Sequence, residues 1–123
     1  MANILIIDDS PTEVHVFKTM LEKNGHTVHV SETGEEGIVK AKEIIPDLVL
    51  MDIVMPGING FQATRQLATI EETSHIPVII VTTKDQETDK VWGIRQGAKD
   101  YIVKPVKEND LMARVNSALA GKG

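Results

Sequence analysis

The sequence predicts an α/β fold in which a doubly wound, five-stranded parallel sheet is covered by five helices. Four short apolar runs, residues 4–7, 48–51, 78–81 and 101–103, lack polar alternation, which is typical of strands covered on both faces. A fifth run, residues 27–30, alternates polar and apolar side chains and suits a sheet edge. Stretches with helical periodicity separate these runs, and this alternation is typical of a sheet with helices on both faces.

Helix-start signals lie between the predicted strands. Ser10, Pro11 and Glu13 fit an N-cap serine, a first-turn proline and the glutamate of a capping box. Thr33 and Glu36 repeat the box at the second helix. Each strand is therefore expected to lead directly into a helix.

Further turn signals complete the pattern. Asn59 and Gly60 predict a turn into the third helix, the fourth helix follows residues 83–85, and Gly25 and Gly97 are placed to end helices in a left-handed conformation. Apolar residues recur at helical spacing and predict three buried stripes. These are Val14, Phe17 and Leu21; Ile38, Ala41 and Ile45; and Leu111, Val115, Ala118 and Leu119.

Composition restricts the function classes that remain. The chain has 123 residues, no cysteine and a formal net charge of −5 at pH 7. The lack of cysteine excludes disulfide scaffolds, iron–sulfur clusters and thiol catalysis. The negative charge disfavours nucleic acid or an anionic membrane as a partner. No apolar run approaches the roughly 20 residues of a membrane span, and the first ten residues lack the basic start of a signal peptide, so we expect one cytoplasmic domain, residues 1–123.

Polar side chains cluster where the predicted strands end. Asp8 and Asp9 follow the first run, Asp52 the third, Thr82 the fourth and Lys104 the fifth. Ligands of such folds bind at the carboxyl ends of the strands, where neighbouring strand ends share one pocket. Three close carboxylates need a cation, and oxygen ligands suit magnesium. A lysine and a hydroxyl would complement a phosphoryl group.

These residues stand in a pattern that resembles a known family. Asp8-Asp9, the run MDIVMPG at residues 51–57, Thr82 and Lys104-Pro105 are similar to the signature of the receiver domain of response regulators, the CheY-like fold. The resemblance covers essentially the whole chain. It implies the strand order 2-1-3-4-5 and transfer of a phosphoryl group to Asp52 from a histidine kinase or its phosphotransfer domain. It also implies a signalling protein, not an enzyme that acts on other substrates.

The resemblance further implies a magnesium ion as cofactor. Asp9, Asp52 and the backbone carbonyl of Val54 would ligate Mg²⁺, and Asp8 would belong to the same acidic site, mainly through metal-bound water. The chemistry agrees with this expectation, because a carboxylate that attacks phosphorus needs the phosphoryl oxygens neutralised.

The resemblance also implies a switch. Lys104 would pair with the phosphoryl group, Thr82 would hydrogen-bond it, and the Lys104–Pro105 peptide bond is expected to be cis. Thr82 and Tyr101 would change the face around the fourth helix, the fifth strand and the fifth helix. A downstream protein would bind that face.

Two longer stretches, residues 59–67 and 81–93, are similar to the single-domain regulators of type IV pilus twitching motility. This similarity implies a chemotaxis-like histidine kinase as the phosphodonor, with either a signal output or a phosphate-sink role. A flagellar or other chemotaxis-type regulator is the alternative for the pathway. The cognate kinase, the downstream target and the lifetime of the phosphoryl group are left open.

Other classes remain as alternatives. An interaction module that binds without phosphorylation is one, although the complete acidic set argues against it. A free-standing phosphatase of the haloacid-dehalogenase type is another, but Val54 stands where that family's motif has a second aspartate. We expect a monomer with no output domain and no nucleic-acid binding. Trp92 fits either the core or a partner-facing surface.

Overall fold

The computed structural model describes residues 1–121, in which five strands and five helices alternate. All strand pairs are parallel, and the sheet order is β2-β1-β3-β4-β5. This confirms the predicted fold. The elements are β1 (Asn3–Ile7), α1 (Pro11–Lys23), β2 (Thr27–Ser31), α2 (Gly34–Ile44), β3 (Leu48–Met51), α3 (Gly60–Thr69), β4 (Val78–Thr82), α4 (Glu87–Arg95), β5 (Asp100–Val103) and α5 (Glu108–Ala120).

The core is divided by the sheet, because successive strand residues point to opposite faces. In β1, Leu5 and Ile7 pack on the side of α2 and α3, whereas Ile4 and Ile6 pack on the side of α1 and α5. Every residue of β3 and β4 is buried. Apolar residues on both faces of the sheet explain why these strands show no polar alternation in sequence.

The helix N-termini follow the predicted signals, with one consequential difference. Ser10 caps α1 by accepting a hydrogen bond from the Glu13 N–H at 3.4 Å. The Glu13 carboxylate does not complete the predicted capping box, because it pairs instead with the ammonium of Lys104. At α2 the Glu36 carboxylate accepts from the N–H of Glu32, one residue before the cap. The complete box at α3 joins Asn59 and Gln62.

One predicted buried position differs. Ile45 is the C-cap of α2 with φ 44°, and it is 40% exposed, so it does not continue the buried stripe of Ile38 and Ala41. The left-handed turn redirects the chain into the segment before β3, and this geometry is uncommon for a β-branched residue. Gly25 and Gly97 have positive φ as expected.

Gly60 brings α3 close to the end of β3. Its N–H donates to the carbonyl of Ile53 at 2.9 Å, and a Cβ at this position would collide with the carbonyl oxygen of Asp52. A glycine is therefore needed where the helix starts against the strand end. Within residues 1–121, no helix is long and apolar enough to cross a membrane.

Candidate functional site

The strand register brings the carboxyl ends of β1, β3, β4 and β5 to one edge of the sheet. Ile7 pairs with Met51, so Asp8 and Asp52 follow neighbouring strand residues. The Asp52 N–H donates to the carbonyl of Ile7 at 2.9 Å, and the Lys104 N–H donates to the carbonyl of Thr82 at 2.8 Å. The ladder thus extends beyond the strands and fixes the backbone of the site residues.

Lys104 is the centre of an ion cluster. Its ammonium Nζ lies 3.5 Å from Asp8 Oδ2 and 3.5 Å from Asp52 Oδ1, and it also pairs with Glu13 Oε2. The side chains of Asp8, Asp52 and Lys104 are 3%, 10% and 10% exposed, whereas that of Glu13 is 37% exposed. The Lys104–Pro105 peptide bond is cis.

The carboxylates form a set that could hold a divalent cation. Within residues 1–121, oxygens of Asp8, Glu13 and Asp52 lie within 4.8 Å of one another. Opposite ligands around Mg²⁺ are separated by roughly 4.2 Å, twice its ligand distance, so small side-chain shifts would fit the ion. The oxygen-only donors also suit Mg²⁺. The residues present therefore fit the cofactor that the sequence implies.

Two of the expected magnesium ligands, Asp9 and Val54, are more exposed than Asp8 and Asp52. Asp9 is exposed, lies beside Asp8 on the loop between β1 and α1, and is not in the group of three close carboxylates. Val54, expected to contribute its carbonyl, follows β3 and is 62% exposed. Glu13 was missed as a site residue because its position in the first turn of a helix has the ordinary explanation of a capping box. The one available signal was the short step, five residues, from Asp8 to Glu13.

Burial sets the protonation behaviour of the acids. Desolvation raises the pKa of Asp8 to about 6, although the Ser10 N–H and the Lys104 charge oppose the shift. Desolvation also raises the pKa of Asp52, against the effect of Lys104. For Lys104, burial lowers the pKa, but the hydrogen bond to Glu13 and the charges of Asp52 and Asp8 outweigh it, so its pKa is raised. The ammonium therefore stays charged and offsets part of the buried negative charge.

Thr82 and Tyr101 are connected through the backbone of one residue. Thr82 is 0% exposed, and its Oγ1 accepts a hydrogen bond from the N–H of Lys84 at 3.3 Å. The Tyr101 hydroxyl donates to the carbonyl of Lys84 at 2.9 Å. The Tyr101 ring is buried against Gly93 of α4, where an added Cβ would lie 3.0 Å from the ring. Thr82, Lys84, Tyr101 and Gly93 thus form a continuous series of contacts from the site to α4.

This fold and edge cluster define a receiver domain, and comparison with known families shows the same. The chain belongs to the response regulator receiver domain family, whose model matches residues 4–116. Members of this family are signalling domains of two-component systems that take up a phosphoryl group on an aspartate.

Two relatives show which members of the family this chain resembles. The chain is 64% identical over 121 residues to Protein PilH of Pseudomonas aeruginosa, covering 98% of this chain and 100% of that protein. It is 35% identical to the transcriptional regulatory protein AfsQ1 of Streptomyces coelicolor, covering 97% of this chain but 52% of that longer protein. The first similarity covers both chains nearly end to end and makes this protein a PilH homologue.

Solved structures agree with the fold. Chemotaxis protein CheY4 of Vibrio cholerae has a TM-score of 0.90 at 25% identity, covering 96% of this chain and 98% of that one. The receiver domain of a sensor histidine kinase from Pseudomonas aeruginosa PAO1 has a TM-score of 0.90 at 27% identity, with coverage of 97% and 98%. That second structure has a magnesium ion coordinated in the active-site cleft.

Proposed function

We propose that Asp52 is the phosphoacceptor of this receiver domain and that Mg²⁺ is its cofactor. The observation that carries the proposal is the buried Asp52 carboxylate at the end of β3, which lies 3.5 Å from the Lys104 ammonium and shares it with Asp8. A carboxylate in this position meets a fixed positive charge where the phosphoryl oxygens would come. Mg²⁺ held by Asp9, Asp52 and the Val54 carbonyl, with Asp8 in the same acidic site, would neutralise those oxygens further.

The transfer is a displacement at phosphorus. A carboxylate oxygen of Asp52 forms the new P–O bond while the bond from phosphorus to the donor breaks, and the bonding electron pair leaves with the donor. The donor is a phosphohistidine of a histidine kinase or its phosphotransfer domain. Lys104 neutralises a phosphoryl oxygen, and Thr82 turns its hydroxyl from the Lys84 N–H towards the phosphoryl group. The chain catalyses its own phosphorylation and dephosphorylation and is not an enzyme for other substrates.

The output is a protein-binding face formed by α4, β5 and α5. On α4, Val91, Trp92 and Ile94 are 44%, 51% and 48% exposed, so Trp92 does not belong to the core. The Lys84 backbone and the Tyr101 ring connect this face to Thr82. The proposal includes a monomer that acts in the cytoplasm without nucleic acid. The similarity to PilH favours a chemotaxis-like kinase and control of type IV pilus twitching motility.

Phosphorylation by acetyl phosphate with Mg²⁺ tests the assignment of Asp52. Intact mass spectrometry should show one added phosphoryl group on the wild type and none on Asp52→Asn. The matched control is Asp47→Asn, which changes an aspartate at the amino end of the same strand and keeps the oxygen that accepts the Asn3 N–H. Labelling of the Asp52 variant at the wild-type rate would refute the assignment. Repeated turnover of added phosphoesters would instead favour a phosphatase.

A further inference from the structure

The contact between Glu13 and Lys104 has no part in the site that the family resemblance implies. We propose that Glu13 is a positioning residue that gives the Lys104 ammonium an alternative partner, so that a divalent cation and the ammonium can share the acidic pocket. The inference rests on the proposed function, because it concerns the Mg²⁺ and the phosphoryl group placed at Asp52.

Helix α1 is built to present Glu13 to Lys104. The Ser10 cap fixes the first turn through the Glu13 N–H, and the Glu13 carboxylate turns away from the cap to meet the ammonium. Phe17, one helical turn later, is buried, and its ring centroid lies 5.9 Å from Lys104 Nζ. A carboxylate and an aromatic ring on the same helix face are both favourable neighbours of an ammonium group.

Glu13 is the closest of the three acids to the ammonium. The distances of 3.5 Å from Lys104 Nζ to Asp8 and Asp52 exceed the usual hydrogen-bond range, whereas Glu13 is in direct contact. Glu13 is also the most exposed of the three. Its charge is consequently the least costly to keep when the other two carboxylates bind a cation.

The position of Lys104 affects two events in opposite directions. Without the Glu13 charge, the ammonium has only Asp8 and Asp52 as carboxylate partners within the cluster, where it competes with Mg²⁺ for the same oxygens. During phosphoryl transfer, however, Glu13 competes with the incoming phosphoryl group for the ammonium. Glu13 therefore favours cation loading and slows the phosphorylation that follows.

The experiment compares Glu13→Gln, which keeps the side-chain size, with Glu22→Gln. Glu22 lies on the same helix and forms an exposed pair with Lys18 at 3.6 Å, so it controls for the loss of one charge on α1. Calorimetric titration with MgCl₂ should show about fivefold weaker binding to the Glu13 variant, as expected for one lost charge in a partly buried site. Phosphorylation by acetyl phosphate at saturating Mg²⁺ should be severalfold faster. The Glu22 variant should match the wild type in both.

Opposite changes in the two measurements distinguish positioning from a structural role. Equal Mg²⁺ affinity in the Glu13 variant and the wild type would overturn the proposal, and so would a parallel fall in affinity and rate together with a lower melting temperature. The Mg²⁺ titration needs no phosphoryl transfer. If wild-type Asp52 is not labelled, the proposed function fails while the titration still decides the role of Glu13.

Discussion

At the carboxyl edge of the sheet, the negative charges of the buried Asp8 and Asp52 carboxylates are partly offset by the positive charge of Lys104. Burial raises the pKa of Asp8 to about 6 and also raises the pKa of Asp52, so both carboxylates are less readily ionised than in water. The Lys104 ammonium opposes both shifts. Burial therefore makes the charged form of both carboxylates costly at the place where we propose that a cation and a phosphoryl group bind.

Replacing the hydroxyl of Thr64 on α3 by an apolar group should stabilise the fold. It is 0% exposed, and its hydroxyl Oγ1 has no hydrogen-bond partner within residues 1–121. Thr64→Val replaces this hydroxyl by a methyl group of similar size, so the free energy of unfolding should rise by about 1 kcal/mol. Urea unfolding followed by circular dichroism measures the change.

Thr64→Ser is the matched control, because it keeps the hydroxyl and removes the methyl group. It should lower the free energy of unfolding by about 1 kcal/mol through lost apolar contact. A valine variant no more stable than the wild type would show that the hydroxyl is satisfied in solution.

At the residue scale, the sequence predicted which strand ends lie together, but it did not predict that Glu13 is close to them or that Asp9 is outside the group of close carboxylates. Asp8, Asp52, Thr82 and Lys104 could be grouped because parallel strands end at one edge, and the structure brings them to that edge. Their roles remain proposals. Glu13 has a sufficient local explanation in the helix cap, and only the three-dimensional position of Lys104 shows that the carboxylate is used elsewhere.

Among the elements, α4 is connected to Thr82 through two hydrogen bonds of Lys84 and the packing of the Tyr101 ring. The N–H of Lys84 donates to the Thr82 hydroxyl, and the Lys84 carbonyl accepts from the Tyr101 hydroxyl. The Tyr101 ring packs against Gly93. Trp92, the single tryptophan, is half exposed beside that glycine. Beryllofluoride with Mg²⁺, used as a mimic of the phosphoryl group, should therefore change the Trp92 fluorescence.

Tyr101→Phe tests the path, since it removes the hydroxyl bound to the Lys84 carbonyl but keeps the ring. The fluorescence change at saturating beryllofluoride should fall by at least half. Tyr101 should matter less for binding of the mimic itself than for the response of α4. An unchanged response in the phenylalanine variant would separate α4 from this hydrogen bond.

Element-scale prediction from sequence was accurate where burial was complete. The fully apolar runs became β3 and β4 with little error because both faces of each strand lie in the core. The end of α2 was predicted less well. Helical spacing alone placed Ile45 in the buried stripe, whereas the chain leaves the helix there through a left-handed residue.

At the scale of the whole molecule, Mg²⁺ binding should raise the free energy of unfolding. A ligand that binds the folded state alone adds about 2.7 kcal/mol to the free energy of unfolding at 100 times its Kd. Thermal unfolding of the wild type should therefore shift upward with MgCl₂. Asp9→Ala should shift much less, because the family resemblance makes Asp9 a ligand.

This measurement decides whether Asp9 belongs to the metal site. The structure groups Asp8, Glu13 and Asp52, and leaves Asp9 exposed beside them. An equal upward shift in the Asp9 variant would remove Asp9 from the metal site. NaCl at matched ionic strength is the control for general screening.

At the scale of the whole molecule, the fold class followed from the residues, but the strand order did not. Alternating buried strands and helices indicate a doubly wound sheet, yet several orders are compatible with that pattern. The order 2-1-3-4-5 came from the family resemblance, and the structure confirms it.

In the proposed role, the Glu13–Lys104 pair adjusts the rate of phosphorylation without changing the residue that accepts the phosphoryl group. Under the proposed function, the reaction requires Asp52, whereas the residue that faces Lys104 from α1 can vary without removing the acceptor. Substitution at this one helix position would let related domains be phosphorylated by the same kinase at different rates. The speed of a cellular response would then be adjustable by mutation outside the bond-forming atoms.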